Sequence, residues 1–325
     1  MEVRIFTKAD IETTLSMPRA IELMRDAFVG LSAGRVESPV RTMLTNDHGT
    51  VLYKPAWSAA DNIFCAKIVS VFPGNVDRKL PVTPGIIVIN DGVTGMPVAL
   101  MEAGYITSLR TGAATGLATD LLAKPDVETA ALFGTGGQAG HQLEAMLCVR
   151  PLKWVFVFSR NPDNATRFCV EMTERLKLTG RCELVPTADH AALRDCDIVT
   201  TATTSATPVF EDQHIGEAVH INAVGSLGPT RSEIPGATIE RATIVVDQRE
   251  GCLQEAGELL PLIADGRLPH DFAPPELGEL VEADGIQPDQ PVTVFKSAGN
   301  AAQDLACAAE VMKLAAGDLG QTVRF

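Results

Sequence analysis

The sequence has no C-x-x-C pair and no cysteine–histidine cluster at zinc-binding spacing, so no metal site is expected. Its seven cysteines (65, 148, 169, 182, 196, 252 and 307) are scattered, mostly inside apolar segments, and an odd number of dispersed thiols fits a reducing compartment. No run approaches the roughly 18 uninterrupted apolar residues that a membrane-spanning helix needs. The opening MEVRIFTKADIE mixes charged and apolar residues and has no signal-peptide core, so a cytoplasmic location is expected. Positive charge is scarce. There are 27 Lys and Arg against 41 Asp and Glu, a net −14, which argues against nucleic acid or an anionic membrane as a partner. Any anionic ligand must then be met by local cations, so individual Arg and Lys positions become informative. No internal repeat or low-complexity tract is evident.

What is present is a globular composition, 46% hydrophobic and 21% charged, over 325 residues, which favours two domains over one. The most constrained stretch is TAALFGTGGQAGHQLEAMLCV, Thr129 to Val149. Thr129–Phe133 reads as a buried strand, Gly134-Thr135-Gly136-Gly137-Gln138-Ala139 fits G-x-G-x-x-A, and an apolar-periodic helix follows. In that pattern Gly134 permits a tight turn, Gly136 lets backbone approach a pyrophosphate, and Ala139 is small enough for close helix–strand contact. The helix N-terminus would supply free N–H groups and partial positive charge to the phosphates. The motif alone is weak evidence; a strand before it, a helix after it and a second strand behind it strengthen the reading.

Around that stretch the pattern changes. Ser16-Met17-Pro18 opens a helix, and strands are expected at 40–44, 51–56, 63–72, 84–90 and 96–102, the last two joined through Asp91-Gly92 by a five-residue loop. Tyr105–Ala123 is a small-residue helix built for close packing. From Thr129 strand and helix alternate, with strands expected at 129–133, 153–158, 182–186, 197–203, 219–224, 243–247 and 292–296, the signature of a parallel sheet. Asn161-Pro162 opens a helix running towards Leu178, Leu268–Pro291 reads as a surface excursion, and Gly299–Ala316 as a closing helix. The fold class is α/β: a Rossmann-type doubly wound parallel sheet domain plus an α+β domain.

The end of the second strand selects the dinucleotide. An acid there would bind the 2′-hydroxyl of NAD, whereas a cation accommodates the 2′-phosphate of NADP. The chain reads Phe158-Ser159-Arg160-Asn161, so NADP(H) is favoured, with NAD(H) left open, although an exposed Arg after a strand is common. In the first domain Arg41, Lys67 and Arg110 stand out. Lys67 lies in Ile63–Phe72, apolar on both faces and free of acids, so its partner is a distant carboxylate or a ligand. For each cation taken singly, a salt bridge or a snorkelling side chain is the competing explanation. His220–Pro229 is a Gly/Pro-rich loop at a strand end, where ligands sit in such folds. His141, His190, His214, His220 and His270 read as surface or helix residues.

With these motifs together, the chain resembles the ornithine cyclodeaminase/mu-crystallin family. The resemblance runs through Pro39-Val40-Arg41, Ala66-Lys67, Ser108-Leu109-Arg110-Thr111-Gly112-Ala113, the glycine turn, Ile221-Asn222-Ala223-Val224-Gly225, and Phe295-Lys296-Ser297-Ala298-Gly299 with Asp304. It implies a homodimer with a substrate-binding and dimerisation domain at 1–122, rejoined by 300–325, and a dinucleotide domain at 123–299. It implies that Arg41, Lys67 and Arg110 grip a substrate α-carboxylate, supplying an anion for Lys67, with Lys67 as candidate proton donor and Ala298 beside the substrate. Thr83, Arg110, Gly137, Gln138, Thr203, Val224, Arg231 and Ser297 match family positions touching the dinucleotide. Cyclodeaminases of the family carry an Asp two residues after the Gly of Asn-Ala-Val-Gly; here that position is Leu227, which cannot titrate. The nearest acid, Glu233, is expected one helical turn on. Leu227 and Arg160 both resemble the mu-crystallin and ketimine-reductase branch, so reduction of a small cyclic imino acid is the leading expectation. Ornithine cyclodeaminase, an alanine-type dehydrogenase and a non-catalytic NADPH-dependent binder of small ligands are the alternatives.

Overall fold

A computed structural model describes residues 1–226, 228–283, 288, 290–315 and 319–325. The chain divides into two compact units, Met1–Arg110 with Gly299–Phe325, and Thr111–Ala298.

The first unit begins with β1 (Glu2–Phe6), α1 (Lys8–Thr14) and α2 (Met17–Ser32). Thr7 caps α1 in a reciprocal box with Asp10. Ser16 caps α2, Pro18 occupies its first turn, and Ala20, Leu23, Met24, Ala27 and Phe28 form its buried stripe. Then come β2 (Val36–Glu37), β3 (Thr42–Asn46), β4 (Gly49–Ser58), β5 (Ile63–Val71), β6 (Gly85–Asp91) and β7 (Pro97–Glu102). The expected loop between β6 and β7 is held by Asp91, whose carboxylate accepts from the N–H groups of Val93 and Thr94 at 3.2 and 2.8 Å.

A long helix, α3 (Ala103–Leu122), carries the chain from one unit into the other. Its small residues serve close packing: a Cβ on Gly112 would lie 2.5 Å from the carbonyl oxygen of His141. The C-terminal end of α3 is closed by one buried guanidinium. Arg150 donates to the carbonyls of Thr119, Asp120, Ala123 and Lys124 at 2.7–2.9 Å, putting a cation where the helix dipole is negative.

The second unit contains β8 (Thr129–Phe133), α4 (Ala139–Val149), β9 (Trp154–Phe158), α5 (Pro162–Arg175), β10 (Glu183–Thr187), β11 (Ile198–Thr201), β12 (Val219–Ala223), α6 (Gly236–Glu240), β13 (Ala242–Val246), α7 (Arg249–Glu255), α8 (Leu260–Ala264), α9 (Leu277–Glu282) and β14 (Val292–Lys296). Its strands pair in parallel in the order β10-β9-β8-β11-β12-β14-β13. The chain moves outward from β8 through β10, then returns to the other side of β8, so the order reverses between β8 and β11. Such a reversal opens a crevice at the strands' carboxyl ends.

Two expectations need correction. Leu268–Pro291 is not wholly a surface excursion: Leu268, Leu277 and Leu280 are buried, α9 lies within it, and Glu276 bridges to Val246. The apolar pair Leu277 and Leu280, one turn apart, anchors a segment whose composition is otherwise that of a loop. Residues 284–287 and 289 of that stretch, like Leu227 and residues 316–318, fall outside the described residues. His220 is not a surface residue. It is buried in β12, its ring nitrogens meeting Thr293 Oγ1 at 2.9 Å and Asn222 Oδ1 at 3.1 Å. Burial pushes its pKa down to about 3. A strand covered on both faces buries even its polar side chains, and neighbouring strands then satisfy them.

The chain re-enters the first unit as α10 (Ala301–Leu314) and β15 (Gln321–Arg324). β15 adds to β1 and completes an eight-stranded sheet, β15-β1-β7-β6-β5-β4-β2 with β3 on β4. The helix α10 packs on α2 and on β4, β5 and β6. The face turned away from α10 is apolar. Tyr53, Pro55 and Trp57 of β4 pair in register with Ile68, Ala66 and Phe64 of β5, and Ile68 and Ala66 with Ile86 and Val88 of β6. Tyr53, Phe64 and Ile86 are exposed.

Candidate active site

In the second unit a cleft of about 660 Å³ opens at the carboxyl ends of β8, β9, β10 and β11. Gly134 takes φ of 103°, and a Cβ there would lie 2.4 Å from the carbonyl oxygen of Ala202, so neither the backbone nor the space admits a side chain. A Cβ on Gly136 or Gly137 would meet nothing within 4 Å. Glycine in those two places leaves a cradle in front of α4, the geometry a pyrophosphate needs. Of the residues expected at the dinucleotide, the cleft brings together Gly134, Gly136, Ser159, Arg160 and Thr203, with Ser159 Oγ 3.4 Å from Thr135 Oγ1.

The others are placed elsewhere. Gly137 and Gln138 complete the turn, and Ala139, fully buried, starts α4. Val224 follows β12, its N–H donating to Thr201 O at 3.1 Å. Arg231 donates to the carbonyl of Thr204, and Ser297 Oγ donates to Asp247 at 2.8 Å. Thr83 is exposed before β6 in the first unit. Sequence reasoning missed His190 and Asn164, which also line the cleft. His190 follows the third strand's carboxyl end, and the rule that singles out Arg160 after the second strand applies equally there.

Glu233 is not on a helical turn as expected, and it is not available as a substitute acid. It sits fully buried before α6 and accepts from Thr203 N, Gly225 N, Ser226 N and Thr201 Oγ1 at 2.6–3.1 Å. Four donors saturate a carboxylate and fix it as a brace between the loops after β11 and β12. Beside it a second buried set forms at the end of β14. Lys296 Nζ lies 2.9 Å from Glu258 and 2.7 Å from Ser226 Oγ, and Ser226 Oγ in turn donates to Glu258.

In the first unit β5 and α10 bring a different cluster together. Lys67, buried near the middle of β5, places Nζ 2.7 Å from both Oδ1 and Oδ2 of Asp304 and 3.1 Å from Thr107 Oγ1. Arg110 donates from Nε to Asp304 Oδ1 at 3.1 Å and from Nη1 to Gln303 Oε1 at 2.5 Å. Lys54, buried on β4, pairs in register with Lys67 and donates to the carbonyl of Gly299 at 3.1 Å. Arg41 is half-buried just before β3. The distant carboxylate required by Lys67 is therefore Asp304, a residue the resemblance named without giving it this role.

Burial pushes the Lys67 ammonium down to about 8, Asp304 opposing and Arg110 adding to the effect. Burial, with the charges of Lys67, Arg41 and Arg110, holds Lys54 well below the ordinary lysine value, opposed by Asp304. Burial alone would raise Asp304, but Lys67, Arg110 and Lys54 overcome it and hold the carboxyl below its usual value. Lys67 and Arg110 thus share one buried carboxylate, with Lys54 close enough to feel its charge, so among the described residues this cluster holds more positive than negative charge.

The model of the ornithine cyclodeaminase/mu-crystallin family matches residues 1–317. The chain belongs to this family. Its family relatives include the Δ1-pyrroline-2-carboxylate reductase of Bacillus cereus, 34% identical over 296 residues covering 90% of each chain. Among solved structures, the Δ1-pyrroline-2-carboxylate reductase of Thermococcus litoralis, in complex with NADH and L-proline, superposes with a TM-score of 0.92 at 34% identity, covering 99% of this chain and all of the other. An archaeal alanine dehydrogenase, a dimer with bound NAD, has the same TM-score at 30% identity with complete coverage of both chains. Among the described residues of this family member, no helix is long and apolar enough to cross a membrane, and no three His, Cys, Asp or Glu side chains are grouped to hold a metal.

Proposed function

We propose that this family member is an NAD(P)H-dependent reductase of a small cyclic imino acid of the Δ1-pyrroline-2-carboxylate type, giving L-proline or an analogue. The observation that carries the reading is the surplus of buried positive charge in the first unit's cluster, where Lys67 and Arg110 share Asp304 beside the buried Lys54. A substrate carboxylate supplies the missing anion, with Arg41, Lys67 and Arg110 as its clamp and Ala298 beside the ring. The second unit's cleft holds the dinucleotide through the Gly134–Gln138 turn, Ser159, Arg160 and Thr203, with Thr83, Val224, Arg231 and Ser297 as further contacts. When bound, the dinucleotide supplies the hydride that adds to the imine carbon. The chain's own contribution is to fix the carboxylate, exclude water and neutralise charge around an already electrophilic carbon. Lys67, with its depressed pKa, is the candidate proton donor to the ring nitrogen.

The absence of a titratable side chain at position 227, together with the saturation of Glu233, argues against cyclodeamination. Absorbance assays of the purified chain decide between the readings. The expected result is one NAD(P)H consumed per L-proline formed from Δ1-pyrroline-2-carboxylate, and no proline from L-ornithine. Proline and ammonia from ornithine without net cofactor consumption would overturn it. Stoichiometric NADH from L-alanine and NAD⁺ would instead favour the dehydrogenase suggested by the archaeal relative.

Arg160 supports NADPH as the preferred reductant. For Arg160→Ser, the KM for NADPH is expected to rise about 10- to 100-fold, the loss of one charge-assisted hydrogen bond, with the KM for NADH little changed. Equal effects on both cofactors would remove Arg160 from 2′-phosphate recognition. The bare apolar face of the first unit's sheet supports a homodimer, since Tyr53, Trp57, Phe64, Ile68 and Ile86 form a continuous apolar patch. Ile68→Glu is expected to convert a dimer into a monomer in light scattering, whereas a wild-type monomer would refute the assembly.

A further inference from the structure

His190 opens a short 3₁₀ turn, His190–Asp195, immediately after β10. In the sheet β10 lies next to β9, so the residues following these strands share one carboxyl edge. His190 accordingly lines the same cleft as Ser159, Arg160 and Asn164. Its ring is clamped by other rings. Phe133 and Phe158 meet it edge-on at centroid distances of 5.9 and 5.5 Å, and His214 does so at 5.0 Å. His214 Nδ1 accepts from the N–H of Glu211 at 3.1 Å, so the backbone holds that ring in place. A titratable ring packed this firmly at the Arg160 end of the cleft has a fixed place from which to act on a ligand.

We propose that His190 is a specificity-determining residue for the 2′-phosphate. As an imidazolium it adds a second cation to the Arg160 end of the cleft, so the preference for NADPH over NADH strengthens as pH falls. The inference rests on reading the cleft as the dinucleotide site. The groups acting on the ring are of both signs: burial and His214 lower its pKa below 6.5, Asp189 and Glu211 raise it, and Arg160 shares its cleft. A bound phosphate dianion favours the charged ring. NADPH binding therefore takes up a proton through the window below the ordinary histidine value, and NADH, lacking that phosphate, does so much less.

Binding titrations by cofactor fluorescence test this without requiring turnover. Dissociation constants for NADPH and NADH are measured from pH 8 to pH 5 on the wild type, His190→Gln and His190→Arg. The wild-type preference for NADPH is expected to rise about three- to fivefold over that range, the scale of a partly exposed charge pair. His190→Gln should lose that rise, and His190→Arg should hold a preference above that of His190→Gln by a factor that does not change with pH. The 2′-phosphate, which itself titrates near pH 6, does so against every variant, so the difference between wild type and His190→Gln isolates the ring. A wild-type preference that runs parallel to that of His190→Gln at every pH overturns the inference while leaving the cleft as the cofactor site. Failure of both dinucleotides to bind at any pH overturns the cleft assignment and the inference with it.

Discussion

Lys67→Met is expected to lower kcat/KM for the cyclic imino acid by about 100-fold while leaving the dissociation constant of NADPH unchanged. Methionine keeps the length and apolar stem of the side chain, so the change isolates the ammonium. Losing one charge-assisted contact to a carboxylate costs about 1.5–3 kcal/mol, and the lost proton donor adds to it. The pH profile supplies a second signature. Lys67 has a pKa of about 8 in the free protein, and a bound carboxylate would stabilise its charged form. Substrate binding above that pH must then take up a proton, so KM is expected to rise with pH above about 8, approaching tenfold per unit, with no decline on the acid side from this group. Lys67→Met should flatten that rise. Unchanged turnover and substrate affinity in Lys67→Met would take Lys67 out of the site.

Asp304→Asn is expected to have the largest effect on stability, about 3–5 kcal/mol, because it leaves Lys67 and Arg110 buried without their carboxylate. The sign of the pH dependence follows from the depressed Asp304 pKa. Its stabilisation is complete above the unfolded value of 3.8 and is lost only as pH falls through the lower folded value, so the full deficit appears at neutral pH. Asp304 also raises the Lys67 pKa, so its neutralisation should move the alkaline rise in KM to lower pH. Denaturant unfolding and a pH profile of the same variant measure the two effects. Unaltered stability, or an alkaline limb that stays where it was, would show that Asp304 does not anchor the cluster.

The strand–helix alternation from Thr129 was legible because each β–α unit carries its own period and its own breakers, and every expected strand of the parallel sheet appears within two residues of its place. The glycine turn was legible for a steric reason that Gly134 displays directly. The first fourteen residues were not: β1 takes its place from pairing with β7 and β15, partners far away in sequence. Lys67 could be recognised as a buried cation from its apolar run, but its partner on α10 lies 237 residues away, and no local pattern connects them. Lys54 was overlooked because alternate residues of β4 look like an ordinary exposed strand face. Its burial is decided by α10 packing on that face. Glu233 shows the same limit from the other side. Its place after Pro229 suggested a helical turn, whereas backbone donors from two separate strand ends determine its position.

The most direct test of the account is to reduce Δ1-pyrroline-2-carboxylate with NADPH deuterated at C4 of the nicotinamide and to weigh the product by mass spectrometry. The expected product is L-proline carrying one deuterium at Cα when the label is on the transferred face, with Lys67→Met forming the same product far more slowly. Proline without the label from either face, or no product from the imine while ornithine yields proline and ammonia, would contradict it.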